Sequence, residues 1–336
     1  MVELNTRYMG IQLENPIIVG ANNLMVNVDN IRKMEEAGAA AIVYRSLFEE
    51  QIELEELQLI DEAAEYDDRH AEMIDVFPNI HHAGPKEHLY QLEKIREAIS
   101  IPLIASLNCI NKDIWVHYAK KIEQTGVDGI ELNLYSVPYD TEQVGTSIKN
   151  EQFEIVKQVK ESLSIPVSVK LSFFYTNPLH VIKEMDGFGV DAFVMFNRLF
   201  QPDIDIRNEE HSSPFYLSNK GDYRLPLRFT GLLYSQINAD ICSSTGIFGG
   251  EDVAKMLLAG ANAIQCVTAI YKHKISHIAQ MLKQLREWME SKGYNSLDDF
   301  RGKLSKKSIS SPFVYQRSQY VDILLNKEPI IKDYTR

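Results

Sequence analysis

Eight short, almost wholly apolar runs punctuate this chain, and they limit its fold more than any other feature. They read PIIVGANN (16–23), AAIVYRS (40–46), PLIASLN (102–108), GIELNLY (129–135), PVSVKLS (166–172), DAFVMFN (191–197), ADICSST (239–245) and NAIQCVTA (262–269). Most precede a segment with helical periodicity, such as VDNIRKMEEAG, DIWVHYAKKIEQTG, NEQFEIVKQVKES and GEDVAKMLLAG. Strands that are apolar on both faces and alternate with amphipathic helices predict a parallel sheet covered by helices. Eight such units predict an α/β fold, a closed (β/α)8 TIM barrel, rather than an open sheet.

The spacing agrees. Four of the seven steps between successive runs are one βα unit long, about 25 residues, and three are longer. The excess lies in residues 47–100, 136–165 and 198–238, each after a strand and therefore on the face where barrel enzymes carry their sites. We read a single domain over 1–336 with elaborated loops. A last helix is expected in HIAQMLKQLREWMESKG, followed by a C-terminal extension over about 290–336.

Composition narrows the function classes. A net charge of -12 leaves no broad basic surface for nucleic acid. No apolar run approaches the roughly 20 residues of a membrane span. The N-terminus, MVELNTRYMG, lacks the basic-then-apolar pattern of a secretory signal, so a cytoplasmic protein is expected. The three cysteines, Cys109, Cys242 and Cys266, show no CxxC spacing, which argues against disulfides and a cysteine-rich zinc site. The histidines form no HExxH pair, and no metal is expected. The acidic run EEQIELEELQLIDEAAEYDD (49–68) reads as a solvated helix in the loop after the second strand.

The polar residues that end the apolar runs are the informative ones. Asn22 and Asn23, Arg45 and Ser46, Asn108, Asn133, Lys170, Asn197, Ser243 to Thr245, and Thr268 all stand there. In a barrel these positions converge on one mouth. Lys170 is the most telling, because an ammonium inside VSVKLSFF is costly unless an anion or strong acceptors meet it. The stretch SSTGIFGGEDVAKMLLAGANAIQCVTA offers Gly246, Gly249 and Gly250 ahead of a helix, a pattern suited to an anion after the last two strands.

These residues carry a resemblance. GIQLENPIIVGANN, ASLN, ELNLYSVPYD, SVKLSFF, FNRLFQPDID, RLPLR and SLDDFRG resemble the dihydroorotate dehydrogenase family, and within it a divergent dihydroorotate dehydrogenase-like branch. The resemblance implies an FMN-dependent oxidoreductase that turns dihydroorotate into orotate in pyrimidine synthesis. It implies that Asn133 touches flavin and substrate, that Lys170 lies beside the flavin N1/O2 edge, and that Asn197 hydrogen-bonds the pyrimidine. Gly246, Gly250 and the Val267–Thr268 backbone match the phosphate turns, Ala21 and Asn22 the strand passing the isoalloxazine, with Ser46 and Asn108 joining the cofactor set. Arg45 stands where the family has a Lys near flavin and substrate, and Ser136 stands at the offset of the catalytic base. By analogy with soluble members, the resemblance also implies a homodimer.

The wording departs from the family in several places. Tyr135, Val137 and Tyr139 alter the base loop, HHAGPKEHL lacks a substrate Asn, and Ser243, Thr245 and Val267 replace glycines of the phosphate turns. Two readings follow. One is a working dehydrogenase for dihydroorotate or a related cyclic compound; the other is an FMN-binding barrel without that activity, acting on another small cyclic substrate or in a non-catalytic role.

Overall fold

The computed structural model describes residues 2–54, 84–109, 111–134, 140–198, 201–212 and 215–325. The chain enters through a hairpin of β1 (Thr6–Tyr8) and β2 (Ile11–Leu13). Its two-residue turn, Met9 at φ 55 and Gly10 at φ 77, has the left-handed backbone that matches strand twist. Then β3 (Ile17–Val19), α1 (Val28–Glu36), β4 (Ala41–Phe48), α2 (Pro85–Ala98), β5 (Leu103–Asn108) and α3 (Lys112–Glu123) alternate. The alternation continues with β6 (Gly129–Leu134), α4 (Gly145–Ser162), β7 (Val167–Leu171), α5 (Pro178–Asp186) and β8 (Ala192–Met195). A second hairpin, β9 (Asp203–Asp205) with β10 (Glu210–Ser212), precedes α6 (Arg224–Leu233), β11 (Asp240–Ser244), α7 (Gly250–Ala259) and β12 (Ala263–Cys266). The described chain ends with α8 (Thr268–His273), α9 (His277–Lys292) and α10 (Arg317–Leu325).

All eight expected runs are strands, and they close into one parallel barrel in the order β11-β12-β3-β4-β5-β6-β7-β8. Outward side chains such as Val43's neighbours Ile42 and Tyr44, and Ile130 and Leu132 of β6, pack under the helices. The helices present matching stripes: Ile31 and Met34 of α1, and Trp115, Ala119 and Ile122 of α3, are buried. Each buried side chain of this size stabilises the fold by roughly 1.5–3 kcal/mol. Asn27 and Asn111 start their helices by accepting from the amides of Asp29 (2.8 Å) and Asp113 (3.0 Å).

The N-terminal hairpin closes the bottom of the barrel. Tyr8, Met9 and Leu13 join the inward Ile18, Val43, Ile104, Val194 and Ala263 in one buried cluster. The Met9 methyl end packs close on Gly129, where a Cβ would lie 2.9 Å from its Cε. Above this apolar floor the interior turns polar, with Glu131, Gln265, Ser106 and Ser168 all buried.

One irregularity bears on the site. In β4, Val43 pairs with Ile104 but Ser46 pairs with Ser106, so one extra residue is accommodated between them. Such a bulge re-aims the side chains around it, here Tyr44 and Arg45. The C-terminal extension is more than polar trim: Phe300 is buried and packs on Trp288 and Tyr294, each with ring centroids 5.0 Å away. Arg301 ties the extension to the barrel base through the Ala261 carbonyl and the Thr6 hydroxyl (2.9 Å).

Candidate active site

At the C-terminal ends of the strands opens a cavity of about 690 Å³. That volume falls in the range of sites for cofactors and drug-sized ligands. Its wall comes from the strand ends singled out in the sequence: Ala21 and Asn22 after β3, Arg45 and Ser46 on β4, Asn108 on β5, Asn133 on β6, Lys170 on β7 and Asn197 after β8. Gly246, Val267 and Thr268 complete it after β11 and β12.

Lys170 has the partners its burial demands. Its Nζ donates to Gln265 Oε1 (3.0 Å) and lies 3.4 Å from Glu131 Oε1. The amide of Gln265 in turn donates to Glu131 Oε2, which closes a three-residue ring under the cavity. Neither Glu131 nor Gln265 was among the expected site residues. A signal existed: each is a polar side chain inside an apolar strand, Glu131 in GIELN and Gln265 in AIQCV, and each is costly to bury unless it is partnered.

Asn197 and Asn133 also meet. The Asn197 Nδ2 donates to Asn133 Oδ1 (2.7 Å), which leaves one acceptor on Asn197 and one donor group on Asn133 for other partners. Ser46 and Ser106 share a hydroxyl hydrogen bond of 2.7 Å across β4 and β5. Asn22 is committed locally: its Nδ2 donates to the Gly20 carbonyl (2.8 Å) and its Oδ1 accepts from the Leu24 amide (3.0 Å). Gly20 lies close to both neighbours: a Cβ there would sit 3.0 Å from Val267 Cγ2 and 3.2 Å from Gln265 Oε1.

Arg45 lies on the bulge and lines the cavity, and among the described residues no carboxylate pairs with it. Its charge is felt by its neighbours. Burial, with the Arg45 guanidinium adding to it, lowers His88 to about 3. The Cys266 thiol lines the cavity as well, but burial pushes it up to about 12, so it is no thiolate nucleophile.

The glycine-rich turn divides into two parts. Gly246 (φ 74) lines the cavity, and a Cβ there would run into the backbone of Tyr223. Thr245 holds a left-handed φ of 80, a backbone that glycine favours, and its hydroxyl donates to the Phe196 carbonyl (3.1 Å). Gly250 differs from the sequence expectation. Its amide donates to Gln284 Oε1 (2.8 Å), and a Cβ there would lie 2.5 Å from the Leu285 nitrogen, so it serves the packing of α7 on α9. The start of α7 is further occupied by its own acid: Asp252 accepts from the Phe248 amide (3.1 Å). The other anion-suited turn, at Thr268, is bridged by Ser218, whose hydroxyl donates to Thr268 Oγ1 (2.8 Å).

Ser136, the expected base, lies in 135–139, outside the described residues. So does most of the acidic run 49–68, from residue 55 onward.

The family model for dihydroorotate dehydrogenase matches residues 60–289. Among curated proteins, the dihydroorotate dehydrogenase B (NAD(+)) catalytic subunit of Thermoplasma volcanium is 27% identical over 314 residues, covering 91% of this chain and 100% of that protein. The same-named subunit of Methanocaldococcus jannaschii is 26% identical over 279 residues, 80% of this chain and 87% of its own length. Dihydroorotate dehydrogenase A (fumarate) of Lactobacillus delbrueckii subsp. bulgaricus is 26% identical over 227 residues, 64% of this chain and 71% of its own. The closed barrel carries the matched span across most of its strands, and the chain belongs to the dihydroorotate dehydrogenase family.

Proposed function

We propose that this chain is an FMN-dependent oxidoreductase that oxidises the CH–CH bond of dihydroorotate, or of a related cyclic amide, as in pyrimidine synthesis. The observation that carries the reading is Lys170 grouped with the Asn133–Asn197 pair in one cavity, in a barrel of this family. We read the chain as one catalytic unit in the cytoplasm, acting as a homodimer on a small-molecule substrate. No described helix is long and apolar enough to cross a membrane.

FMN, when bound, supplies the acceptor for a hydride. The donor set fits such a group. Lys170 offers a cation to the ring edge where negative charge collects on reduction. Ser46 and Asn108 offer a hydroxyl and an amide to ring atoms, and Ala21 and Asn22 offer the strand end beside them. Backbone at Gly246 and at Val267–Thr268 suits a phosphate, as left-handed and turn backbone does generally. Gly250 is left out of that set, since Gln284 already takes its amide.

For the substrate, the atoms left over on Asn133 and Asn197 are one donor and one acceptor, the complement of a ring amide. Arg45 offers a guanidinium fork to a carboxylate. Ser136, three residues after Asn133, is assigned the proton of C5; a hydroxyl is a weak base and passes that proton on.

Arg45 in place of a lysine favours a second reading, a flavin-holding barrel that does not turn over dihydroorotate and serves another cyclic substrate or a non-catalytic role. Flavin binding and substrate-analogue binding test the proposal together. Protein stripped of flavin should quench added FMN fluorescence to one equivalent, and orotate should then perturb the bound flavin spectrum. Loss of the first result contradicts the cofactor; loss of the second alone favours the second reading.

A further inference from the structure

Beneath the cavity, Glu131 presents an unusual expense. Its side chain is 1% exposed, buried in the barrel interior, against 12% for Lys170. One oxygen accepts from Gln265, while Oε1 has no hydrogen-bond partner and lies 3.4 Å from the Lys170 ammonium, with the buried Tyr8 and Cys242 also near the acid. A packing role would be met more cheaply by apolar side chains of similar volume, because burying two charges costs more than their attraction commonly returns. The chain keeps an acidic side chain here, next to Lys170, which among the described residues is the lysine that lines the cavity.

The consequence is electrostatic. Lys170 and Glu131 sum to zero, so the cavity floor keeps a local hydrogen-bond donor but loses most of the long-range field of a bare ammonium. Gln265 fixes the geometry from both sides, accepting from Lys170 and donating to Glu131. Of the wall's two arginines, Arg198 is likewise matched, by Asp222 at 2.8 Å, while Arg45 keeps its charge at the β4 bulge, so the neutrality is that of the floor alone.

We infer that Glu131 is a positioning residue that holds and neutralises Lys170, and so keeps the reduction potential of a flavin in this cavity low. The inference rests on the FMN reading above. Reduction adds negative charge to a flavin, so a net positive floor favours the reduced form and a neutral one does not. A low potential suits passing electrons onward after substrate oxidation.

The test is the two-electron midpoint potential of the FMN-loaded full chain, titrated with dithionite against a reference dye. Glu131→Gln keeps the shape and leaves Lys170 unpaired. Its reduction equilibrium should shift at least tenfold toward reduced flavin, about 30 mV upward. Lys170→Met should shift it downward by a similar factor. The double variant removes both charges and should return to within threefold of the wild-type equilibrium. If Glu131→Gln alone does not fold, the double variant is compared with Lys170→Met and should lie at least tenfold toward the reduced side. A merely structural glutamate would change flavin affinity or stability and leave these equilibria in place. Flavin-loaded variants with the wild-type potential, or a double variant that tracks Lys170→Met, overturn the inference while leaving the FMN reading intact. A wild-type chain that takes up no FMN overturns both.

Discussion

Asn133 and Lys170 are register partners on adjacent strands, β6 and β7. Paired positions in a parallel ladder leave the sheet on the same side, so both side chains enter the barrel. A slip of one residue would turn both outward into the helix layer. The same period puts Glu131, two residues before Asn133, under the same cavity, and this is how three polar residues in two apolar strands come to share one site.

Arg45 is expected to read substrate charge. Arg45→Ala should weaken orotate roughly ten- to a hundredfold, the worth of a charge-assisted hydrogen bond, and weaken uracil far less. Binding constants for the two ligands on the flavin-loaded protein check this. Equal losses would assign Arg45 to the flavin instead.

Ser136→Ala should slow flavin reduction by dihydroorotate a hundredfold or more, about the contribution of a positioned general base, with flavin content unchanged. Stopped-flow absorbance under nitrogen reads the rate. An unaltered rate would remove Ser136 from the mechanism.

His88 should give the protein an acid-side weakness. The unfolded imidazole takes a proton near pH 6.5, whereas the buried one resists until about 3, so the unfolded state binds more protons between those values. Stability from this group is whole above 6.5 and falls as the pH drops toward 3, at up to about 1.4 kcal/mol per pH unit. His88→Phe, which keeps a ring beside Tyr44, should show a shallower decline in urea midpoint from pH 6 to 4. Parallel declines in the two proteins would contradict it.

The two glycines of the β11–α7 turn should separate. Gly250→Ala should cost about 1–3 kcal/mol of stability, as overpacking does, and leave FMN affinity within a few-fold. Gly246→Ala, which lines the cavity and needs a positive φ, should weaken FMN binding clearly. Thermal melts and fluorescence titrations on both variants make the comparison.

The barrel was legible because its evidence is redundant: eight mainly apolar runs, most of them followed by amphipathic segments. The lining of the cavity was legible where polarity broke an apolar run, as at Lys170 and Asn133. Glu131 and Gln265 obeyed the same rule and were missed, because only the lysine was weighed as a buried charge. The β4 bulge that sets Arg45 could not be read, since a bulge is defined by its neighbouring strand and not by its own residues. The plug hairpin was hidden for a similar reason: three-residue strands leave too little period to see. Gly250 shows the limit at a helix start, where a glycine suits an anion or a close helix contact equally well; the contacts with Gln284 and Leu285 speak for the second.

The most direct measurement is an anaerobic titration of the flavin-loaded protein with dihydroorotate, followed at the flavin absorbance band. The account predicts bleaching within seconds and one equivalent of orotate formed per flavin. Bound flavin that stays oxidised with excess dihydroorotate would contradict it.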